Sequence, residues 1–382
     1  MSRCSLSVFR PLPSQLADYR TAVSLHSHTN HSRETLQFIS KFAAKYRILQ
    51  WAFDRECKKS KIPVEFPKLY WTPPLPPKLA YEVEREQIEN VLGLASLVSL
   101  TDHDSISAPS LLRALPEMVN IPLALEWTVP YGPAVFHLGI HNLPDSCATE
   151  ITAQLAAYTY DPSLVSLREL LATLDQLPDV FIVFNHPLWD LNQLRLQYRQ
   201  VVAEFLEGYG SFIHAFEING TRGWGENSQV IEMAESYRRP IVSGGDRHGC
   251  EPSATLNLTR AESFPEFVQE LRSEHRSNVL LMPQYAEPRC AHVARELLDT
   301  IREYPEYPAG SRRWDDRVFH PSPTAPGHCA ISTLWKRPPA FIELLFSALS
   351  VLDSTLVQRA LKQVMHGETH THLSEVGFEA TL

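Results

Sequence analysis

A chain of 382 residues that is 44% hydrophobic and 21% charged can bury a large core, and it lacks the composition of a disordered or fibrous protein. Its formal charge of −9 argues against tight nonspecific nucleic-acid binding, which needs clustered Lys and Arg, but leaves room for a small phosphorylated ligand. The six cysteines form no CxxC pair and are too widely spread for a small disulfide scaffold, so a reducing cytoplasm is the expected compartment.

In chain order, the opening MSRCSLSVFRPLPSQL lacks the apolar stretch of a signal peptide, and no segment approaches the ~18 apolar residues of a membrane helix. From residue 21 short apolar runs recur: TAVSL (21–25), SLVSL (96–100), IPLAL (121–125), AVFHLGI (134–140), DVFIVF (179–184), FIHAFEI (212–218), PIVSGG (240–245) and ATLNL (254–258). Amphipathic patterns such as SLRELLATLDQL (166–177) and NSQVIEMAESYRR (227–239) separate them. The alternation predicts an α/β barrel with parallel strands, and the polar residues just after the runs place a ligand site at the C-terminal strand ends.

Two regions break this rhythm. Residues 35–80 read as a segment inserted after the first strand, basic and aromatic at first and proline-rich afterwards. Mixed Lys and aromatics occur in single-strand binders, but the acidic total favours a packed insertion that rises beside the site mouth and shapes substrate choice. The division expected is a barrel domain over 1–290 and a C-terminal helical extension over 291–382, whose apolar stripe at 339–365 would serve an oligomer interface or cover the barrel.

Chemistry-bearing residues sit at the run ends. In LHSHTNHS, His26 and His28 are two apart and so share a face with Ala22 and Ser24, while Val23 and Leu25 would point toward helices. An HxH pair alone is no better than even against a wet loop. Asp102, His103 and Asp104 end the next run, Glu126 the third, and His137 lies inside the fourth; His186 ends the fifth, and Asp246 and His248 follow the seventh. So many imidazoles and carboxylates at strand ends are costly to bury unless paired or ligated, which points to a metal site.

Taken together, LHSHTNHS, TDHDS, LEWT, FHLG, NHP, EING and GGDRHG resemble, in order, the motifs of the PHP (polymerase and histidinol phosphatase) family of metal-dependent phosphoesterases, over about residues 21–260. The resemblance implies a distorted (β/α)7 TIM-like barrel with two or three divalent ions, zinc, manganese or iron, at its mouth. It implies that His26, His28, Glu126 and Asp246 hold one ion, that Glu126 bridges to a second held by His137 and His186, and that His103 and His248 face a third. A carboxylate can bridge cations about 3.5–4 Å apart, and mixed nitrogen and oxygen donors argue against calcium. The departure is at Ser32, Arg33 and Glu34, where the family's first motif usually continues to an Asp or His. Arg33 cannot ligate a cation. Either Glu34 substitutes by a one-residue shift, or the third position is weak and Arg33 holds a phosphate oxygen there.

The remaining candidates divide between chemistry and support. Arg222 and Arg247 are candidate phosphate clamps or partners of a carboxylate; Asp102 and Asp104 are expected to orient His103 or its neighbours by hydrogen bonding; Glu217 and Asn219 match the family's E-x-N strand end, with Glu217 behind the ligands or structural. His214 is expected in the strand–helix layer and His31 in a loop, with most of His141, His275, His292, His320, His328, His366, His370 and His372 at the surface. The expected activity is hydrolysis of a phosphate ester on a small phosphorylated substrate by a metal-bridging hydroxide, with His103 or His248 protonating the leaving oxygen. An amidohydrolase-type barrel, or a barrel that binds metal or a phosphorylated ligand without turnover and docks a partner through its C-terminal helices, are the alternatives.

Overall fold

The computed structural model describes residues 3–36, 68–163, 165–287, 289–322 and 326–333, with positions 55 and 347. The inserted basic segment, the 339–365 stripe, His366, His370 and His372 therefore lie outside the described residues, apart from those two positions.

Most of the apolar runs fold as strands. In chain order they are β1 (Arg3–Val8), β2 (Thr21–Ser24), β3 (Glu34–Thr35), β4 (Tyr70–Trp71), β5 (Ala95–Val98), β6 (Leu125–Tyr131), β7 (Ala134–His141), β8 (Phe181–Asn185), β9 (Ala215–Asn219), β10 (Ile241–Gly244), β11 (Thr255–Thr259), β12 (Arg276–Leu281), β13 (Val318–Pro321) and β14 (His328–Ala330). The helices used below are α1 (Pro77–Glu86), α2 (Ser107–Leu112), α3 (Ala148–Tyr160), α4 (Leu167–Asp175), α5 (Leu196–Tyr209), α6 (Trp224–Ser236), α7 (Phe264–Arg272) and α8 (Arg289–Ile301). Local signals set several ends: Ser166 and Ser263 cap α4 and α7 by accepting from the N–H groups of Glu169 and Glu266.

The strands form two five-stranded sheets, ordered β1-β12-β11-β2-β5 and β10-β9-β8-β7-β6, and a four-stranded sheet β14-β13-β4-β3. The two large sheets do not close as one continuously laddered barrel. They meet at two seams, marked by the parallel bridges Ser27–Arg247 and His103–Glu126 and by bonds such as Gly245 N to Leu25 O at 2.8 Å and Asp104 N to Glu126 O at 2.9 Å. The expectation of parallel strands is corrected at β7 and β11, since β7 runs antiparallel to β6 and β8, and β11 to β2 and β12. The cause at β7 is local: Gly132 at φ 55° turns the chain between Tyr131 and Ala134 as a two-residue hairpin. The run IPLAL is likewise not itself the strand, so Glu126 lies at the start of β6 rather than at a strand end.

The β2 faces are the reverse of the sequence expectation. Val23 and Leu25 pack with Phe181, Val183, Ala215 and Val242 between the sheets, where Phe264, Phe267, Val268 and Leu271 of α7 close one end. Ala22 packs with Ile88 and Leu92 after α1, and the Ser24 hydroxyl donates to Glu84. Burying an aliphatic side chain contributes roughly 1.5–3 kcal/mol, so the larger pair takes the interior and the small pair faces the helix. On the far side of the second sheet, Leu155, Leu171 and Phe205 of α3, α4 and α5 pack on Leu138, Ile182, Phe184 and Phe216.

Pieces from both irregular regions meet over the run ends. β3 pairs with β4 in the register Glu34–Trp71, and β4 with β13 in the register Trp71–Val318. Helix α8 packs on the loop after β10, with Asp299 Oδ2 accepting from Cys250 N at 2.7 Å. No helix among the described residues is long and apolar enough to cross a membrane.

Candidate metal centre

Backbone strain turns several side chains toward one point. His26 (φ 62°), His186 (φ 28°) and Asp246 (φ 48°) adopt left-handed backbone conformations that side-chain-bearing residues avoid at a cost of roughly 1–3 kcal/mol each. With Val23 and Leu25 inside, regular alternation would send His26 to the helix side. Its positive φ brings it back in, beside His28.

The centre is Glu126, which is fully buried. Its Oε1 lies 3.1 Å from His26 Nε2, 3.1 Å from His186 Nε2 and 3.5 Å from His137 Nδ1; its Oε2 lies 3.4 Å from both His28 Nε2 and His103 Nδ1. Asp246 Oδ1 is 3.6 Å from His26, His28 and His248. Glu34, the residue after the predicted departure, is inside the cluster: it lies 3.2 Å from His103, 3.3 Å from His248 and 3.7 Å from His28. Of the two neighbours weighed in the sequence, Glu34 and not Arg33 enters the cluster. All eight residues implied as ligands are brought together, and Glu34 makes a ninth.

Charge in this space is strongly coupled. Burial alone would raise the carboxyl pKa values, but the surrounding imidazoles hold Glu126, Asp246 and Glu34 well below the usual carboxylate range. Burial disfavours imidazolium, yet Glu126, Glu217 and Asp246 hold His26 well above its ordinary value, while His28, buried beside His248, is pushed down to about 4. Four buried atoms, His26 Nε2, His28 Nε2, His103 Nδ1 and Glu126 Oε2, make no hydrogen bond among the described residues. Each such atom costs roughly 1–3 kcal/mol, so four in one spot call for another partner. Four overlapping sets hold donor atoms within 4.8 Å of one another: His28 with Glu34, His103 and His248; His26 with His186 and Asp246; His26 with His28 and Glu126; and His103 with Glu126 and His137. Imidazole nitrogen and carboxylate oxygen in such sets suit a zinc-, manganese- or iron-like divalent cation.

A supporting layer fixes these donors. Glu217 Oε1 is 2.5 Å from His26 Nδ1, its Oε2 accepts from His186 N at 2.7 Å and from Asn219 Nδ2 at 3.0 Å, and Asn219 also donates to Asp246 Oδ2 at 3.1 Å. A carboxylate on the far nitrogen of a ligating imidazole fixes its tautomer and orientation. Gly244 is required here, because a Cβ would fall 1.6 Å from Glu217 Oε1. Asp102 and Asp104 bond not to the His103 ring but to neighbouring segments: Asp102 accepts from Thr29 N and Oγ1, just after His28, at 2.6 and 2.7 Å, and Asp104 from Thr128 N at 2.8 Å.

The three arginines separate. Arg222 reaches the cluster edge, with Nη2 3.7 Å from Asp246 and its guanidinium 4.9 Å from the Trp189 ring centre. Arg33 is exposed and lies over Tyr70, because alternation along β3 puts Glu34 in and its neighbours out. Arg247 is buried against Glu84 at 2.8 Å and Gly249 O at 2.8 Å, so of its two expected roles it takes the carboxylate pairing and faces α1, and the clamp role is corrected for Arg33 and Arg247. His214 bridges Ile182 N and Asp175, and His31 sits in the loop. His141 and His320 are buried, against the surface expectation; His141 Nδ1 is 2.8 Å from Ser99 Oγ. No local pattern marks Glu84, or Trp71 and Trp189, whose rings stand 5.9 Å from His248 and 5.0 Å from His186.

No protein-family model and no curated protein matches the chain. Among solved structures, it is similar to PsfC from Pseudomonas syringae at 16% identity, covering 58% of this chain and 89% of that one, with a TM-score of 0.39. It is similar to a "putative metal-dependent phosphoesterase" from Bifidobacterium adolescentis at 11% identity, 51% and 89% coverage and a TM-score of 0.32. A third likeness is to an amidohydrolase from Chromobacterium violaceum with bound sulfate and no metal, at 14% identity, 59% and 87% coverage and a TM-score of 0.32. These likenesses are too distant to bear on chemistry, and the reading of the site rests on its own geometry.

Proposed function

We propose that this chain is a metal-dependent hydrolase of the polymerase and histidinol phosphatase type that cleaves a phosphate ester of a small substrate. The observation that carries the reading is the set of four buried, unbonded donor atoms gathered round Glu126. The strands β2, β5, β6, β7, β8, β9 and β10, joined at the seams, fit a distorted (β/α)7 barrel. The chemistry supplied by bound divalent ions is Lewis acidity, which makes a water nucleophilic near neutral pH and offsets charge on the phosphoryl oxygens.

In this reading the chain's residues do the following. His26, His28, Asp246, His137 and His186, gathered round Glu126, would hold divalent ions. Glu34, with one or both of His103 and His248, would hold a further one. Glu217 keeps His26 Nδ1 engaged so that Nε2 is presented inward. Arg222, held on Trp189, binds a phosphoryl oxygen as a fixed charge. His248 and His103, with side chains 21% and 14% exposed, are the imidazoles at the cluster's open side, and whichever of them is not a ligand would protonate the leaving oxygen. Because Glu34 turns inward and Arg33 outward, the donor set is complete, which favours turnover over ligand retention alone.

The test is metal analysis of purified protein, followed by phosphate esters, amides and lactones offered to the chelator-stripped protein reloaded with zinc, manganese or iron. Phosphate release that needs a reloaded ion is expected. Hydrolysis confined to amides or lactones, or no retained divalent ion, would overturn the proposal.

A further inference from the structure

Helix α1 carries a buried carboxylate that belongs to none of the four donor sets. Glu84 is fully buried. It pairs with Arg247 Nε at 2.8 Å, accepts from Ser253 N at 3.1 Å and Ser253 Oγ at 3.0 Å, and accepts from Ser24 Oγ at 2.9 Å. One turn on, Gln87 Nε2 donates to Ser253 O at 2.9 Å. Every one of these partners belongs to a ligand-bearing segment. Ser24 precedes His26 by two residues, Arg247 sits between Asp246 and His248, and Ser253 closes the same loop. Arg247 O accepts from His28 N at 2.9 Å, joining the two segments.

A charge this deep is expensive, and a core of this size offers cheaper ways to hold a loop. Both partners of the pair are at most 3% exposed, so the carboxylate serves to fix an arginine whose backbone carries ligands on either side. We infer that Glu84 is a positioning residue that sets Asp246 and His248 through Arg247, and His26 through Ser24, while the His137 and His186 side of the cluster lies outside its reach. The inference rests on the metal reading above.

The experiment is titration of chelator-stripped full-length protein with manganese and with zinc, comparing wild type with Glu84→Gln, Glu84→Asp and the paired Glu84→Gln/Arg247→Met, alongside thermal melts. Glu84→Gln is expected to stay folded and to lose at least tenfold in affinity for the ions held by Asp246 or by His248. The sites built on His137 and His186 should change less than twofold, and Glu84→Asp should recover part of the loss. If Glu84→Gln does not fold, Ser253→Ala, which removes one donor to the carboxylate, should weaken the same ions and spare the others. Unchanged affinity in a folded variant, or a lower melting temperature with unchanged affinity, overturns the inference while the metal reading stands. A wild type that binds neither ion overturns both.

Discussion

Replacing Gly244 with alanine tests the supporting layer without touching any donor. The added Cβ would lie 1.6 Å from Glu217 Oε1 and 2.5 Å from its Cδ, so the carboxylate must retreat by well over an ångström. That oxygen is the partner of His26 Nδ1, and its twin holds His186 N and Asn219, so retreat releases two proposed ligands together. Overpacking costs roughly 1–3 kcal/mol of stability, and loss of a carboxylate behind a ligating histidine typically weakens metal binding about 10–100-fold. The assay is calorimetric titration of stripped protein with manganese or zinc, with circular dichroism melts to confirm folding. Gly208→Ala, where nothing lies within 4 Å of the new carbon, is the control and should bind as wild type. A folded Gly244→Ala protein with wild-type affinity would refute the idea that Glu217 sets the imidazoles.

Glu126→Gln should leave the fold intact but abolish phosphate release and lower bound metal, measured by elemental analysis and a phosphate assay. Glu34→Ala should reduce the bound metal by one ion per chain, whereas Arg33→Ala should leave that number unchanged; equal stoichiometry in both variants would contradict the third donor set. Adding metal at about 100 times its dissociation constant should raise unfolding free energy by about 2.7 kcal/mol in wild type, read from urea curves, and not in Glu126→Gln. Burial, with Arg272 and Arg239, outweighs Asp175 and pushes His214 down to about 4, below its unfolded value near 6.5. The unfolded chain therefore binds the extra proton, so this contribution is complete above pH 6.5 and is lost as pH falls toward 4. Its slope is at most about 1.4 kcal/mol per pH unit, and His214→Gln should flatten the wild-type dependence in that window.

The identities of the donors were legible because chemistry-bearing residues at the ends of apolar runs are a one-dimensional signal. How they reach the centre was not. The alternation rule placed Ala22 and Ser24 inside, but side-chain size decides the faces of β2, and a positive φ at His26 then reverses the direction its position implies. Arg247 looked like a clamp because it lies between two ligands, yet its partner is Glu84, more than 160 positions away, and no local pattern announces such a pair. Glu34 was visible only as an alternative to Arg33, since the choice depends on which face of a two-residue strand turns inward. The direction of β7 was open to better reading, because the glycine and proline at 132 and 133 between apolar residues are a hairpin signal.

The small sheet has a temporal consequence. Glu34 is held by β3 on β4, and β4 in turn rests on β13, so the third donor set depends on strands from opposite ends of the sequence. A ribosome making roughly 5–20 residues per second exposes the first histidines long before residue 318 emerges. Until then the early histidines have no Glu34 platform to close over them, so under the proposed function full metal loading would come late in the life of each chain, after the last of these strands has found its place.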